Sequence, residues 1–278
     1  MNLPKIPIGT WIEAAEDWLK AYGGPVFGGI KTGIGSTVDG LADTFNYLPP
    51  LAMIVIFTLL AFAIGRWRIA LFTLLGLLLV DNLGYWEHTM ETLALVLTAA
   101  IISVVLGVPL GIAAARSNRL QALLLPVLDF MQTMPAFVYL LPAVAFFSLG
   151  VVPGVIASVI FAIPPTIRLT NLGIRQVPED LVEAADAFGS TPMQKLVKLQ
   201  LPIAVPTIMA GVNQTIMLSL SMVVIASMIG AQGVGADVYR AVTQTKTGVG
   251  FEAGLAVVIL AIILDRLTQH LVKAKKKR

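Results

Sequence analysis

Apolar runs separated by short polar breaks dominate the chain, at about 49–65, 69–83, 94–115, 122–148, 151–169, 202–229 and 252–271. A helix needs about 20 such residues to cross the hydrocarbon core of a bilayer. The third run is the cleanest: at about 1.5 Å per residue, Ala94–Ala115 rises about 33 Å, one crossing. The fourth contains Pro126, Pro135 and Pro142 and the sixth Pro206. Kinks or re-entrant portions are expected there rather than straight rods. Only Arg66-Trp67-Arg68 separates the first two runs. Arginines are costly at mid-bilayer, so a tight hairpin is expected.

The first 47 residues follow another pattern. Trp11, Ile12, Ala15, Trp18, Leu19 and Tyr22 fall at helical spacing opposite Glu13, Glu16, Asp17 and Lys20, as in a helix lying flat in the membrane interface. Phe27, Ile30, Ile34, Val38, Leu41 and Phe45 then repeat every three or four residues through a glycine-rich stretch. The segment is expected to anchor on the outer membrane surface; a docking face for an external partner or a second copy is the alternative.

Composition agrees. The chain is 57% hydrophobic and 13% charged, about half the charge of a soluble domain, which excludes a water-soluble enzyme or nucleic-acid binder. It has no cysteine, hence no disulfide, thiolate metal site or catalytic thiol. His88 and His270 are too far apart in sequence to suggest a metal cluster, and no cleavable signal is visible at the N-terminus. The placement of charge is more telling than the net +3. Of nineteen Lys and Arg, fourteen fall on one side of the predicted topology: Arg66, Arg68, Arg116, Arg119, Arg168, Arg175, Lys195, Lys198, Arg266 and the final basic cluster from Lys273. The positive-inside rule puts that side in the cytoplasm of a plasma-membrane protein, with the N-terminus outside and the C-terminus inside.

The longest polar insertion, Arg168 to Gln200, has a legible design. Pro178 precedes Glu179 and Asp180, acids suited to a helix's first turn. Leu181, Val182, Ala185 and Phe188 form an apolar edge, and Gly189 can end the helix in the left-handed region. Thr191-Pro192-Met193-Gln194 supplies a Thr cap, Pro at the first helical position and Gln at the third. A second short helix is expected to stop near Leu199, before Pro202 opens the next span.

Glu183-Ala184-Ala185, three residues, Gly189, nine residues, then Leu199-Gln200-Leu201-Pro202 resembles the EAA loop of binding-protein-dependent ABC importer permeases. Leu199 stands where Ile is commoner. The resemblance covers about 91–271. Met131–Leu140 and Gln244–Gly250 look like the glycine betaine and proline betaine branch. The resemblance implies that Glu183, Ala184, Ala185, Phe188, Gly189, Leu201 and Pro202 couple the chain to a cytoplasmic ATPase. It also implies a homodimer, two ATPase subunits that bind ATP and Mg, and an extracytoplasmic solute-binding protein. No GxxxxGK[ST] loop occurs in the chain, so this subunit is expected to be no enzyme, to hold no cofactor and to rely on its partner for hydrolysis.

Polar residues within apolar runs are functional candidates by default. Asp129, Phe130, Gln132, Phe137, Tyr139, Asn213 and Gln214 are candidates for the translocation path, with helix–helix hydrogen bonding as the alternative for the polar ones. Aromatic faces attract a quaternary ammonium. Asp265 and Arg266 are expected to be a structural pair or interfacial anchors. The basic tail suits topology fixation or attraction to anionic lipids.

The expected fold is an all-α integral membrane protein of about seven transmembrane helices with a five-helix type I ABC importer permease core. Its segments are 1–47, an accessory hairpin and external loop at 48–90, the core at 91–271 with the coupling loop 179–200, and the tail 272–278. The expected function is import of glycine betaine or a related compatible solute for osmoprotection. An ion-coupled secondary transporter, a permease for choline, carnitine or an amino acid, and a membrane scaffold are the alternatives.

Overall fold

The computed structural model describes residues 7–275, with side-chain surroundings to residue 270; the side chains of the basic tail lie outside the described residues. The helices are α1 (Ile8–Asn46), α2 (Pro50–Asn82), α3 (Trp86–Arg116), α4 (Asn118–Thr133), α5 (Leu140–Phe147) and α6 (Val151–Arg175), followed by α7 (Glu179–Ala187), α8 (Pro192–Lys195), α9 (Leu201–Ser227), α10 (Val234–Thr243) and α11 (Thr247–Lys275). A 3-10 turn, Ala136–Tyr139, precedes α5, and a wide π turn, Leu196–Gln200, joins α8 to α9. Among the described residues no strand forms. Five helical stretches are long and apolar enough to cross a membrane: α2, α3, α6, Pro192–Ser227 and α11. The pair α4 and 136–147, bent by 107°, makes a sixth.

α2 counts once by length, yet it breaks at Arg66, whose φ is 68°. Phe57 and Leu77 lie on opposite sides of that break and line one small cavity with Met90, Leu93 and Leu260. An unbroken helix would hold them about 30 Å apart, so the two arms fold back on each other as the hairpin expectation requires. The N-terminal segment differs from expectation. Its two patterns merge into one helix of 39 residues that runs through Pro25. Trp11 and Trp18 stay exposed, whereas Val38 is buried and Phe27 stacks on Phe146 of α5.

α6 forms the centre of the core, between α3 and α9. Lipid tails are as apolar as leucine, so close packing and polar contacts hold membrane helices together. Small residues allow that approach. A Cβ on Gly111 of α3 would stand 2.7 Å from the Ile167 carbonyl oxygen, and one on Gly211 of α9 would stand 3.0 Å from that of Pro165. Pro164 and Pro165 offer no amide hydrogens to the helix ladder. Nearby, the Thr215 hydroxyl of α9 donates to the Ala162 carbonyl at 2.8 Å and pairs with Thr166 at 2.7 Å.

The two ends of the bundle differ in charge. At one end the Tyr85 hydroxyl reaches the Val249 carbonyl, Val234 N–H donates to Thr92 Oγ1 at 2.9 Å, and His88 pairs with buried Asp237. Burial, and then the nearby Asp237 and Glu252 carboxylates, raise the Tyr85 pKa above its ordinary value of 10.0. At the other end Arg175 donates to the Ala114 carbonyl at 3.0 Å, while Arg66, Arg68 and Arg266 share a groove. Arg66, Arg68 and Arg266, three of the residues grouped by the charge count, thus come together in space.

Candidate functional site

The insertion between α6 and α9 folds as a bent knob. Glu179 and Asp180 occupy the first turn of α7, which has no buried residue. Gly189 ends it with φ +74°. There Ser190 N–H donates to the Ala185 carbonyl at 3.0 Å and Gly189 N–H to that of Asp186 at 2.9 Å, the paired bonds of a left-handed helix terminus. Thr191 and Gln194 then form a reciprocal capping box with Pro192 at the helix start. Lys195 Nζ donates to both Asp186 oxygens at 2.7 Å, bridging the corner. The corner is therefore fixed from both sides.

Its outer edge is open. Glu183 and Ala184 are exposed, Ala185 is half-buried, Leu181 is exposed, and Phe188 is 91% exposed. An aromatic ring held out on a short rigid helix is suited to filling a cleft on another protein. The expected stop before Pro202 does not occur. α8 continues through the wide turn into α9, and Leu201 N–H bonds the Leu196 carbonyl, five residues back. That turn shifts the ladder just before Pro202, which has no N–H to give. Half-buried Leu201 and exposed Pro202 thus sit within a continuous rod.

The seven path candidates separate. Phe130, Gln132, Phe137 and Gln214 lie exposed on the bundle. Asp129 is exposed as well, but its carboxylate accepts from Arg168 of α6. Tyr139 is 7% exposed and its hydroxyl donates to the Met131 carbonyl; a phenol closing the bend between α4 and α5 is turned away from the open face. Asn213 is committed too. Its amide donates to Asp265 at 2.8 Å and its carbonyl accepts from Thr268 at 2.7 Å, while Gln269 also donates to Asp265. Asp265 is thereby a structural group between α9 and α11, as expected, with Arg266 only 3.8 Å away.

Sequence reasoning missed three features. Arg168 counted as a loop residue, although α6 carries it within the bundle. α10, whose Asp237 receives His88, had only a short amphipathic signal between glycines. The groove joining Arg66 and Arg68 to Arg266 links positions 200 residues apart in the chain, which no local pattern reveals.

Comparisons with known proteins fit this architecture. The pattern defining binding-protein-dependent transport system inner membrane components matches residues 107–277. The glycine betaine transport system permease protein OpuAB of Bacillus subtilis (strain 168) is 57% identical over 276 residues, 99% of this chain and 98% of that protein. The glycine betaine/carnitine transport permease protein GbuB of Listeria monocytogenes is 56% identical, covering 99% of both chains. The glycine betaine/proline betaine permease protein ProW of Escherichia coli (strain K12) is 48% identical over 98% of this chain and 77% of its own length. Among solved structures, a chain of the MetNI methionine ABC transporter in an inward-facing conformation shares the fold. Its TM-score is 0.64 at 21% identity, over 68% of this chain and 95% of that one. A bent, surface-held helix pair on a polytopic bundle, the matched pattern and these relatives converge: the chain belongs to the binding-protein-dependent transport system inner membrane components, the permease subunits of ABC importers.

Proposed function

We propose that the chain forms the membrane pathway of an ATP-driven importer for glycine betaine or a closely related quaternary-ammonium solute such as proline betaine, serving osmoprotection. Two copies pair, two ATPase subunits bind ATP and Mg on the cytoplasmic side, and an extracytoplasmic binding protein delivers the solute. The N-terminus lies outside and the C-terminus inside, in line with the charge partition. The single observation that carries the proposal is the knob: a capped, ion-paired corner with Phe188 held 91% exposed. Nucleotide-driven closure of the ATPases moves α7 and tilts the core helices joined to it. Phe130, Gln132, Phe137 and Gln214 line the route; aromatic faces there attract the ammonium weakly enough to release it. An ion-coupled mechanism would draw on Asp129, whose carboxylate is instead engaged by Arg168.

The test is uptake of labelled betaine into proteoliposomes containing the permease, its ATPase and its binding protein. Uptake is expected only with ATP inside the cytoplasmic face and all three proteins present. Accumulation driven by an ion gradient in vesicles holding the permease alone would refute the proposal.

A further inference from the structure

A groove of about 1140 Å³ lies where the α2 hairpin turns beside the basic end of α11. Arg66, Arg68 and Arg266 line it, together with His270. All three arginines are exposed, and no acidic side chain lines the groove among the described residues. The nearest described ion-pair partner, Asp265, is 3.8 Å from Arg266 and already accepts from Asn213 and Gln269. Three guanidinium forks line one groove with little internal neutralisation, and each fork matches the oxygens of a phosphate.

The backbone contributes to this arrangement. Arg66 holds φ 68°, a conformation that costs a side-chain-bearing residue free energy, and it stands at the break where both arms of α2 meet. Phe62 and Phe72 flank it from the two arms, and Ile262 faces them from α11. Trp67 is 61% exposed at the tip, with the Arg68 guanidinium 5.7 Å from its ring. A tryptophan at the end of apolar spans belongs at headgroup depth. The groove therefore offers cations at the level of phosphates and apolar walls toward the level of acyl chains.

We infer that this groove is a binding site for one anionic phospholipid, its headgroup phosphate held by Arg66, Arg68 and Arg266 and its chains lying along Phe62, Phe72 and Ile262. Charge complementarity selects this occupant. A zwitterionic lipid presents its own cation beside the phosphate and gains less from three arginines. The site is independent of the importer proposal and of the basic tail.

The experiment uses the delipidated complex in detergent, titrated with phosphatidylglycerol or phosphatidylcholine of equal chain length and followed by intact-complex mass spectrometry. One phosphatidylglycerol per permease is expected at an affinity at least tenfold above that for phosphatidylcholine. Replacing all three arginines (R66Q, R68Q and R266Q together) should erase that preference, while the charge-retaining R66K, R68K and R266K combination keeps most of it. Truncation after residue 272 should leave the preference intact. Should the triple variant misfold, R266Q alone is read, with about a threefold loss expected. Equal affinity for the two lipids, a preference that survives the Gln substitutions in folded protein, or loss of it with the tail would overturn the assignment. So would complete displacement by millimolar inorganic phosphate, which would mark a site for free anions, or recovery of an acidic protein segment in the groove.

Discussion

Truncating Phe188 separates what the knob does for its own chain from what it does for a partner. The ring is 91% exposed, so Phe188→Ala removes almost no internal contact. A surface substitution of that kind shifts stability by no more than about 0.5 kcal/mol. Thermal unfolding of the purified permease should therefore be unchanged. Under the proposed coupling the ring enters a cleft on the ATPase, and fully burying a phenylalanine contributes about 1.5–3 kcal/mol. At 1.4 kcal/mol per factor of ten, the ATPase should bind about 10- to 150-fold more weakly. Titrating ATPase onto the permease in nanodiscs measures that affinity, and betaine-stimulated ATP hydrolysis should fall with it. Unchanged ATPase affinity in the well-folded variant would refute the reasoning, as would a large fall in unfolding temperature, which would make Phe188 a packing residue.

Gly189→Ala meets no atom within 4 Å but must hold φ +74°, at about 1–2 kcal/mol; transport per ATP should drop modestly, whereas Gly189→Pro, which fixes φ near −65° and removes an amide donor, should insert normally and fail to couple, as uptake and hydrolysis assays in parallel will show. Thr215→Val removes the extra bond to the Ala162 carbonyl and leaves the buried Thr166 hydroxyl without its partner across the helices, and should destabilise by about 1 kcal/mol, with part regained when Thr166 is also changed to Val; unfolding midpoints of the single and double variants check this. The raised Tyr85 pKa favours the neutral phenol in the folded state. Its contribution is full below the unfolded value near 10.0 and disappears as pH climbs through the folded value, so Tyr85→Phe should flatten the alkaline end of a stability–pH profile.

Much of the architecture was legible because bilayer thickness and helix rise leave few choices. The knob was legible for a different reason: Gly189, Thr191, Pro192 and Gln194 act through bonds to neighbours within a few residues, and local chemistry can be read locally. The rest depended on partners distant in the chain. Asn213 looks equally suited to a route or to a brace, and only its meeting with Asp265 and Thr268 of α11 decides. Tyr139 is decided by a carbonyl eight residues earlier, across a bend whose 107° angle no proline count supplies. α1 runs unbroken through Pro25, beside which Phe27 stacks on Phe146 of α5, a partner more distant in the chain than any local pattern reaches.

The wide turn at Leu196–Gln200 sets a phase. Pro192–Ser227 is one rod of 36 residues, about 54 Å from tip to tip, so a 5 Å push at its exposed end is a tilt of only about 5°. Each helical residue advances about 100° around the axis. Deleting a single residue from that turn would leave the span in its place and swing α7 toward a different neighbour, putting the protruding ring out of register with whatever it must meet.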